Sequence, residues 1–193
     1  MIAVDFGTCN SSIGVFNNGS VEVIPNEDGN RQTPCVVAVD HDNLIVGDAA
    51  RHQMSQNPLT TIHSIKKFVG VDFDDPQVQE SIRSVAYRVQ NEDNQPRVAF
   101  KKNGSTKSPQ EIMAIILRHM KQLADGHLDL DHVKKCVVTV PSCFDHEQRL
   151  ATIDAAKRAG FEAIRSVAHM SRYHLIRFDT FLSDSSTKQQ QQD

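Results

Sequence analysis

A turn near the start of the chain carries the side chains best suited to chemistry. Asp5 closes an apolar run, Gly7 and Thr8 follow it, and Ser11 and Ser12 open a second apolar run. A glycine lets the backbone approach a ligand closely, and successive amide groups bind phosphate oxygens together with hydroxyls. A carboxylate at a strand end can hold a hydrated Mg²⁺. The turn therefore suits a phosphate site, while a purely structural hairpin explains the same residues.

Two other segments offer groups that could join such a site. Lys66 lies in SIKKFVG, where a lysine normally faces solvent; beside a bound nucleotide it would act as a point charge on a γ-phosphate. Thr139 lies within the apolar run CVVTVP, and Asp145 follows it, although helix capping alone explains Asp145. Neither a P-loop motif nor GxGxxG occurs, so a nucleotide site here would be of another type.

The composition limits the classes of function that need to be considered. The 193 residues are 39% hydrophobic and 23% charged with a net charge of −3, which is typical of a globular domain and disfavours a nucleic-acid surface. No apolar run reaches the roughly 20 residues of a membrane span. The cysteines form no CxxC pair and the first strand begins beside Met1 without a leader, so we expect reduced thiols and a cytoplasmic location, with the nucleus as the alternative.

Hydrophobic periodicity and turn residues predict an alternating order of strands and helices. Residues 2–24 predict a three-stranded antiparallel meander, with Asn-Gly as its second turn. Capping boxes are expected at Ser108 with Glu111 and at Asp145 with Gln148. Beyond the meander, the patterns predict strands over 35–39, 44–47, 85–89, 97–102, 136–141 and 161–167, and helices over 48–58, 60–70, 108–124 and 145–160.

Five sequence blocks resemble the nucleotide-binding domain of the seventy-kilodalton heat-shock chaperones. In order they are AVDFGT, IPNEDGNRQTP, IVGDAA, SIKKFVG and VVTVPSCFDHEQR with DAAKRAGF after it. The resemblance covers residues 1 to about 165. It implies an α/β fold of the actin-like ATPase, or ribonuclease H-like, type: a mixed sheet with an antiparallel opening meander and helices, plus an inserted α+β subdomain.

The same resemblance implies domain boundaries and site residues. Residues 1–34 and 108–167 correspond to subdomain IA and residues 35–107 to subdomain IB, while 168–193 diverge and are expected to be disordered. Asp5 corresponds to the aspartate associated with Mg²⁺. Lys66 corresponds to the catalytic lysine, which also contacts nucleotide. The residues that correspond to the first phosphate loop are Gly7, Thr8, Cys9 and Asn10, and those that link nucleotide state to interdomain signalling are Pro141 and Arg149.

The implied ligand is ATP or ADP with Mg²⁺, and the implied activity is ATP hydrolysis in protein folding. Unfolded polypeptides and J-domain or nucleotide-exchange co-chaperones are the implied partners. Three departures from the family pattern predict impaired hydrolysis: Cys9 replaces a threonine, Asn10 stands where an aromatic residue is common, and AHMSRYHL replaces a glutamate-bearing segment after AIRSV.

Further family segments, including the second phosphate loop and the adenosine-binding segment, are not recognisable in the chain. We therefore keep two functions open. The first is the ATP-binding region of a heat-shock-70-type chaperone, truncated and impaired in ATP hydrolysis. The second is a truncated, non-catalytic module that engages chaperone partners or has no activity. Another member of the actin and sugar-kinase superfamily fits less well, because it would share the hairpin but not NEDGNRQTP followed by IVGDAA.

Overall fold

The computed structural model describes residues 1–17, 20–40, 43–100, 105–129 and 133–169. In chain order the strands are β1 Ile2–Phe6, β2 Asn10–Asn17, β3 Ser20–Ile24, β4 Thr33–Pro34, β5 Val37–Asp40, β6 Asn43–Val46, β7 Thr61–Ile62, β8 Val89–Glu92, β9 Gln95–Ala99, β10 Thr106–Lys107, β11 Lys135–Pro141 and β12 Ala163–His169. The helices are α1 Asp48–His52, α2 Pro76–Arg83, α3 Pro109–Leu128 and α4 His146–Arg158. Of the tail predicted to be disordered, 168–193, residues 168–169 end strand β12, and the residues from 170 onward lie outside the described part of the chain.

The largest sheet is mixed and has the strand order β12-β11-β1-β2-β3, with β4 paired to β2. Strands β1, β2 and β3 are antiparallel neighbours, as the opening pattern predicts. Strand β11 pairs with β1 in parallel, and β12 pairs with β11 in parallel. This arrangement brings the carboxyl ends of β1 and β11 to one edge of the sheet, beside the turn that follows β1.

Two smaller sheets lie in the segment between β4 and α3. One has the order β6-β5-β7 and the other the order β10-β9-β8. Separate sheets in this segment are compatible with an inserted subdomain over 35–107, whose boundaries remain a prediction. The mixed α/β architecture itself is as expected.

Helices α3 and α4 begin at the predicted caps. The Ser108 hydroxyl accepts from the Glu111 amide at 3.2 Å, and the Glu111 carboxylate accepts from the Ser108 amide at 2.8 Å. Asp145 and Gln148 make the equivalent pair at 2.9 and 3.1 Å. These caps satisfy amides that a helix start leaves without intrahelical partners. Both capping boxes are therefore confirmed.

The predicted helix over 60–70 is wrong. Residues Thr61–Ile62 form strand β7 against β5, and Ile65–Phe68 form a short 3-10 helix. Between them Ser64 has φ 55°, a left-handed conformation that interrupts an α-helix. The spacing of Ile62, Ile65 and Phe68 fits a helical period. All three side chains are buried, but they lie in strand β7 and in the 3-10 helix rather than along one α-helix.

Three other local predictions differ from the structure. The helix predicted over 48–58 ends at His52, and turns and a 3-10 helix over Pro58–Thr60 follow it. Helix α2 has no counterpart among the predicted helices, although Asp75 before Pro76 is a strong helix start, with the Asp75 carboxylate accepting from the Gln77 amide at 2.7 Å. The strand predicted over 85–89 begins only at Val89. Before that strand, Tyr87 is buried among core residues, and the chain then enters the β8–β9 hairpin.

One apolar core joins the sheet to helix α3. Ile2, Val4 and Phe6 of β1 are fully buried, as are Ile112 and Ile116 of α3. Burial of such side chains contributes about 1.5–3 kcal/mol each, so the end of β1 has a rigid base. In the part of the chain that the structure describes, no helix combines the length and apolarity needed to cross a bilayer.

Candidate functional site

The ends of β1 and β11 place Asp5 beside Thr139. The two residues are register partners in the parallel pair, and both are half-buried. The Thr139 hydroxyl donates to Asp5 Oδ1 at 2.5 Å. This hydrogen bond fixes one carboxylate oxygen in orientation and explains why a hydroxyl residue occupies an otherwise apolar strand.

The turn after β1 closes over four residues. The Gly7 amide donates to the Asn10 carbonyl at 3.1 Å, and a Cβ at Gly7 would lie only 2.2 Å from that carbonyl oxygen. Glycine is therefore required here by close approach within the turn. Because its amide is occupied, Gly7 does not offer the phosphate donor that the sequence suggests. Within the described residues, the amides of Thr8 and Cys9 donate no hydrogen bond to the protein.

Cys35 contacts this turn on its buried side. Its amide donates to the Cys9 carbonyl at 2.8 Å, and its thiol donates to the Gly7 carbonyl at 3.3 Å. The thiol also lies 2.8 Å from the Ser11 hydroxyl, and both side chains are buried. Burial raises the pKa of Cys35 to about 11, so the thiol stays protonated near neutral pH.

Ser11 therefore points into the protein and is not a donor to an exposed ligand, contrary to the sequence interpretation. Cys35 is a contributor that the sequence interpretation lacks altogether. No local motif marks it, because its contact with the turn depends on the pairing of β4 with β2.

Lys66 reaches the same turn from the inserted segment. Its Nζ donates to the Phe6 carbonyl, immediately before Gly7, and lies 5.7 Å from the centroid of the Phe144 ring. Burial lowers the pKa of Lys66 from its usual value, an effect that the nearby Asp5 carboxylate opposes. The structure thus brings together the predicted metal residue, phosphate loop and catalytic lysine; their ligand-binding roles remain predictions.

The position of Lys66 depends on contacts with other elements. The Tyr87 hydroxyl donates to the His63 carbonyl at 2.5 Å, and the two rings meet edge to face with centroids 5.6 Å apart. Gly70 has φ 67°, and a Cβ there would lie 2.7 Å from the Gln148 Cα at the start of α4. The Lys66 segment, residues 61–70, is therefore held by its contacts with Tyr87 and with the start of α4.

Arg149 organises the loop between β11 and α4. Its Nε donates to the Phe144 carbonyl at 3.0 Å and its Nη2 to the Ser142 carbonyl at 3.4 Å. The Phe144 amide in turn donates to the carbonyl of Pro141 at 3.1 Å. Pro141 at the end of β11 and Arg149 in α4 thus both hydrogen-bond to Phe144, whose ring faces Lys66. These contacts connect both residues physically to the site. Sequence reasoning missed Phe144, for which the only signal was an aromatic residue in a polar loop.

The donor set fits the terminal phosphates of a nucleotide together with hydrated Mg²⁺. Lys66 supplies a positive charge, Asp5 an oriented carboxylate, and Thr8 and Cys9 backbone amides. Among the residues with described positions, no three His, Cys, Asp or Glu side chains gather into a metal site. Asp5 would thus hold the ion as a single carboxylate with water completing the coordination, as Mg²⁺ commonly allows.

Comparisons with known proteins identify the family of the chain. The family model described as Hsp70 protein matches residues 1–171. A heat shock 70 kDa protein of Neurospora crassa is 38% identical over 168 residues, which are 86% of this chain and 26% of that protein. A heat shock protein of Pyricularia oryzae is 36% identical over 168 residues, again 86% of this chain and 27% of the relative. The chain thus spans about a quarter of the length of these relatives. It belongs to the Hsp70 family, and its described residues form a mixed α/β lobe of that family's actin-like nucleotide-binding domain.

Proposed function

We propose that this chain binds ATP or ADP with Mg²⁺ through the turn after β1, as part of the nucleotide-binding region of an Hsp70-type chaperone. The observation that carries the proposal is the convergence of Lys66 on the Phe6 carbonyl from sixty residues away, beside the oriented Asp5 carboxylate. Three distant segments meet at one turn, which a purely structural hairpin does not require.

Each group has a distinct role in this proposal. The Lys66 ammonium attracts the terminal phosphate oxygens, and the amides of Thr8 and Cys9 donate to them. Asp5, oriented by Thr139, holds water molecules of the hydrated cation. When bound, Mg²⁺ would neutralise phosphate charge during transfer to water. Lys66 leaves the Phe6 carbonyl to make its contact, since one ammonium can redistribute its three donors at low cost.

We infer that hydrolysis by this chain is slow. Phosphoryl transfer depends mainly on positioning and electrostatic stabilisation. Cys9 is exposed at the tip of the turn and offers a weakly donating thiol where the family pattern has a hydroxyl. We further infer that unfolded polypeptides are clients, and J-domain or nucleotide-exchange co-chaperones partners, of the chaperone to which such a lobe contributes. Family membership supports these partners.

Calorimetric titration of the purified chain with ATP and Mg²⁺ tests the proposal. We expect saturable binding that weakens by at least about tenfold in Asp5→Ala and in Lys66→Ala. Lys67→Ala is the matched control, because Lys67 is the neighbouring lysine and is exposed. Thermal unfolding of each variant checks that the fold is intact.

The outcomes separate the two functions. Equal losses in Lys66→Ala and Lys67→Ala would indicate a general charge effect and contradict a site at the turn. An absence of heat at millimolar nucleotide would overturn nucleotide binding and favour the non-catalytic module, with co-chaperone capture as the next assay. If turnover is detected, it must fall in Asp5→Ala and Lys66→Ala, since an unchanged rate would come from a contaminating enzyme.

A further inference from the structure

Two cysteines lie opposite each other at the turn. In the antiparallel pair of β2 and β4, Asn10 is opposite Pro34 and Ser11 is opposite Thr33. One residue further along, the same register sets Cys9 opposite Cys35, and the Cys35 amide donates to the Cys9 carbonyl at 2.8 Å. Residues opposite each other in an antiparallel pair have Cα atoms about 4.5–5.5 Å apart. This separation lies within the range of about 4.4–6.8 Å that a disulfide spans.

The environments of the two thiols differ in a way that suits sequential reaction. Cys9 is exposed and open to a soluble oxidant, whereas Cys35 is buried beneath the turn.

We propose that Cys9 and Cys35 form a reversible disulfide in response to small disulfide oxidants of the glutathione disulfide class, and that this bond switches off phosphate binding at the turn. The bond itself follows from the geometry of the pair. Only its effect on ligand binding rests on the proposed nucleotide site.

The reaction balances in two exchange steps. The Cys9 thiolate attacks one sulfur of glutathione disulfide, forming a mixed disulfide and releasing one glutathione thiolate, which takes up a proton. The Cys35 thiolate then attacks the Cys9 sulfur, forming the Cys9–Cys35 bond and releasing the second glutathione thiolate. The two cysteine thiols lose two electrons and two protons, and one glutathione disulfide becomes two glutathione molecules.

Formation of the disulfide removes the contacts that Cys35 makes with Gly7 and Ser11 of the turn. The Cys35 thiol hydrogen that is donated to the Gly7 carbonyl no longer exists in a disulfide. The sulfur must also leave its 2.8 Å contact with the Ser11 hydroxyl to reach Cys9. Because Thr8 and Cys9 lie between Gly7 and Ser11, their amides lose the arrangement that a phosphate would need.

The buried thiol of Cys35 limits the rate of the second exchange step. Burial raises the pKa of Cys35 to about 11, so its thiolate is scarce at neutral pH. Below that value, the second exchange step should therefore accelerate about tenfold for each unit by which the pH is raised.

Incubation of the full chain with glutathione disulfide, followed by alkylation of remaining thiols and peptide mass mapping, tests the bond directly. We expect a Cys9–Cys35 cross-linked peptide that dithiothreitol reverses and that is absent in Cys9→Ser and in Cys35→Ser. Cys143→Ser is the matched control, because it removes another exposed thiol and should leave the cross-link unchanged. A glutathione adduct that remains on Cys9 while Cys35 stays free, or a Cys9–Cys143 link, would overturn the proposal.

Titration with ATP and Mg²⁺ before and after oxidation tests the consequence separately. We expect the oxidised chain to bind at least about tenfold more weakly than the reduced chain, with recovery after reduction. A cross-link without any change in affinity would contradict the switch. If the reduced chain binds no nucleotide, the proposed function fails and with it the switch, but peptide mapping still decides whether the disulfide forms.

Discussion

The turn after β1 and the Lys66 segment contribute to the same site but are held in place by different means. The turn is closed by a hydrogen bond between Gly7 and Asn10, which are near neighbours in the chain, and Cys35, 28 residues from Gly7, adds contacts from the paired strand. The Lys66 segment depends on partners far away in the chain, among them the Phe6 carbonyl, the Tyr87 hydroxyl and the Gln148 backbone. The hydrogen bond that closes the turn can form locally, whereas most contacts of the Lys66 segment form only when distant parts of the chain have come together.

Because of this difference, mutations in the two regions should affect binding and stability differently. Damage to the turn should remove the phosphate donors and leave most of the fold in place. Damage to the Lys66 segment should disturb the packing of the inserted part on α4, and with it the fold. Three perturbations, from the largest expected effect to the smallest, test that distinction.

Gly70→Ala should have the largest effect. The new Cβ would lie 2.7–2.9 Å from backbone atoms of Glu147 and Gln148, at a φ of 67° that disfavours alanine. We expect the free energy of unfolding to fall by about 3 kcal/mol, measured by urea denaturation. Gly126→Ala is the control: a Cβ on this glycine of α3 would have no atom within 4 Å, so stability should rise by up to about 1 kcal/mol. Equal changes in both variants would contradict a tight contact at Gly70.

Gly7→Ala should have a smaller and more local effect. Its Cβ would meet the Asn10 carbonyl oxygen at 2.2 Å, which opens the turn. We expect a loss of about 2 kcal/mol in stability together with loss of nucleotide binding. Hydrogen exchange should increase near the turn but not at the start of α4, whereas Gly70→Ala should increase it in both places. Asn10→Ala keeps the backbone carbonyl and should change stability by less than about 0.5 kcal/mol; a change as large as that of Gly7→Ala would show that the backbone contact is not the cause.

Acidification should have the smallest effect, through His63 within the Lys66 segment. Burial, reinforced by Lys67, lowers the pKa of His63 below its usual 6.5. As the pH falls through 6.5, the unfolded chain takes up this proton before the folded one, so stability decreases. We expect the free energy of unfolding to fall more steeply on the acid side of neutral pH in the wild type than in His63→Gln, with exposed His52→Gln as the comparison variant. Parallel pH profiles for the wild type and His63→Gln would exclude this contribution.

The elements that sequence reasoning identifies correctly share a local cause. The β1–β2–β3 meander, the capping boxes of α3 and α4 and the buried strand β11 are each encoded within a few consecutive residues. In the 60–70 segment, the apolar spacing predicts a helix because local pattern is all that a sequence offers there. Its actual path depends on β5, which pairs with β7, and on Tyr87, neither of which is close in sequence.

The sequence by itself determined the turn at Gly7, the acid at the end of β1 and the family to which the chain belongs, because motifs and turns are local patterns. Only the tertiary structure decided that Thr139 orients Asp5, that Lys66 reaches the Phe6 carbonyl, and that Cys35 lies opposite Cys9. Those contacts join residues as much as 134 positions apart, and burial of one shared core selects them from many pairings that local propensity permits equally.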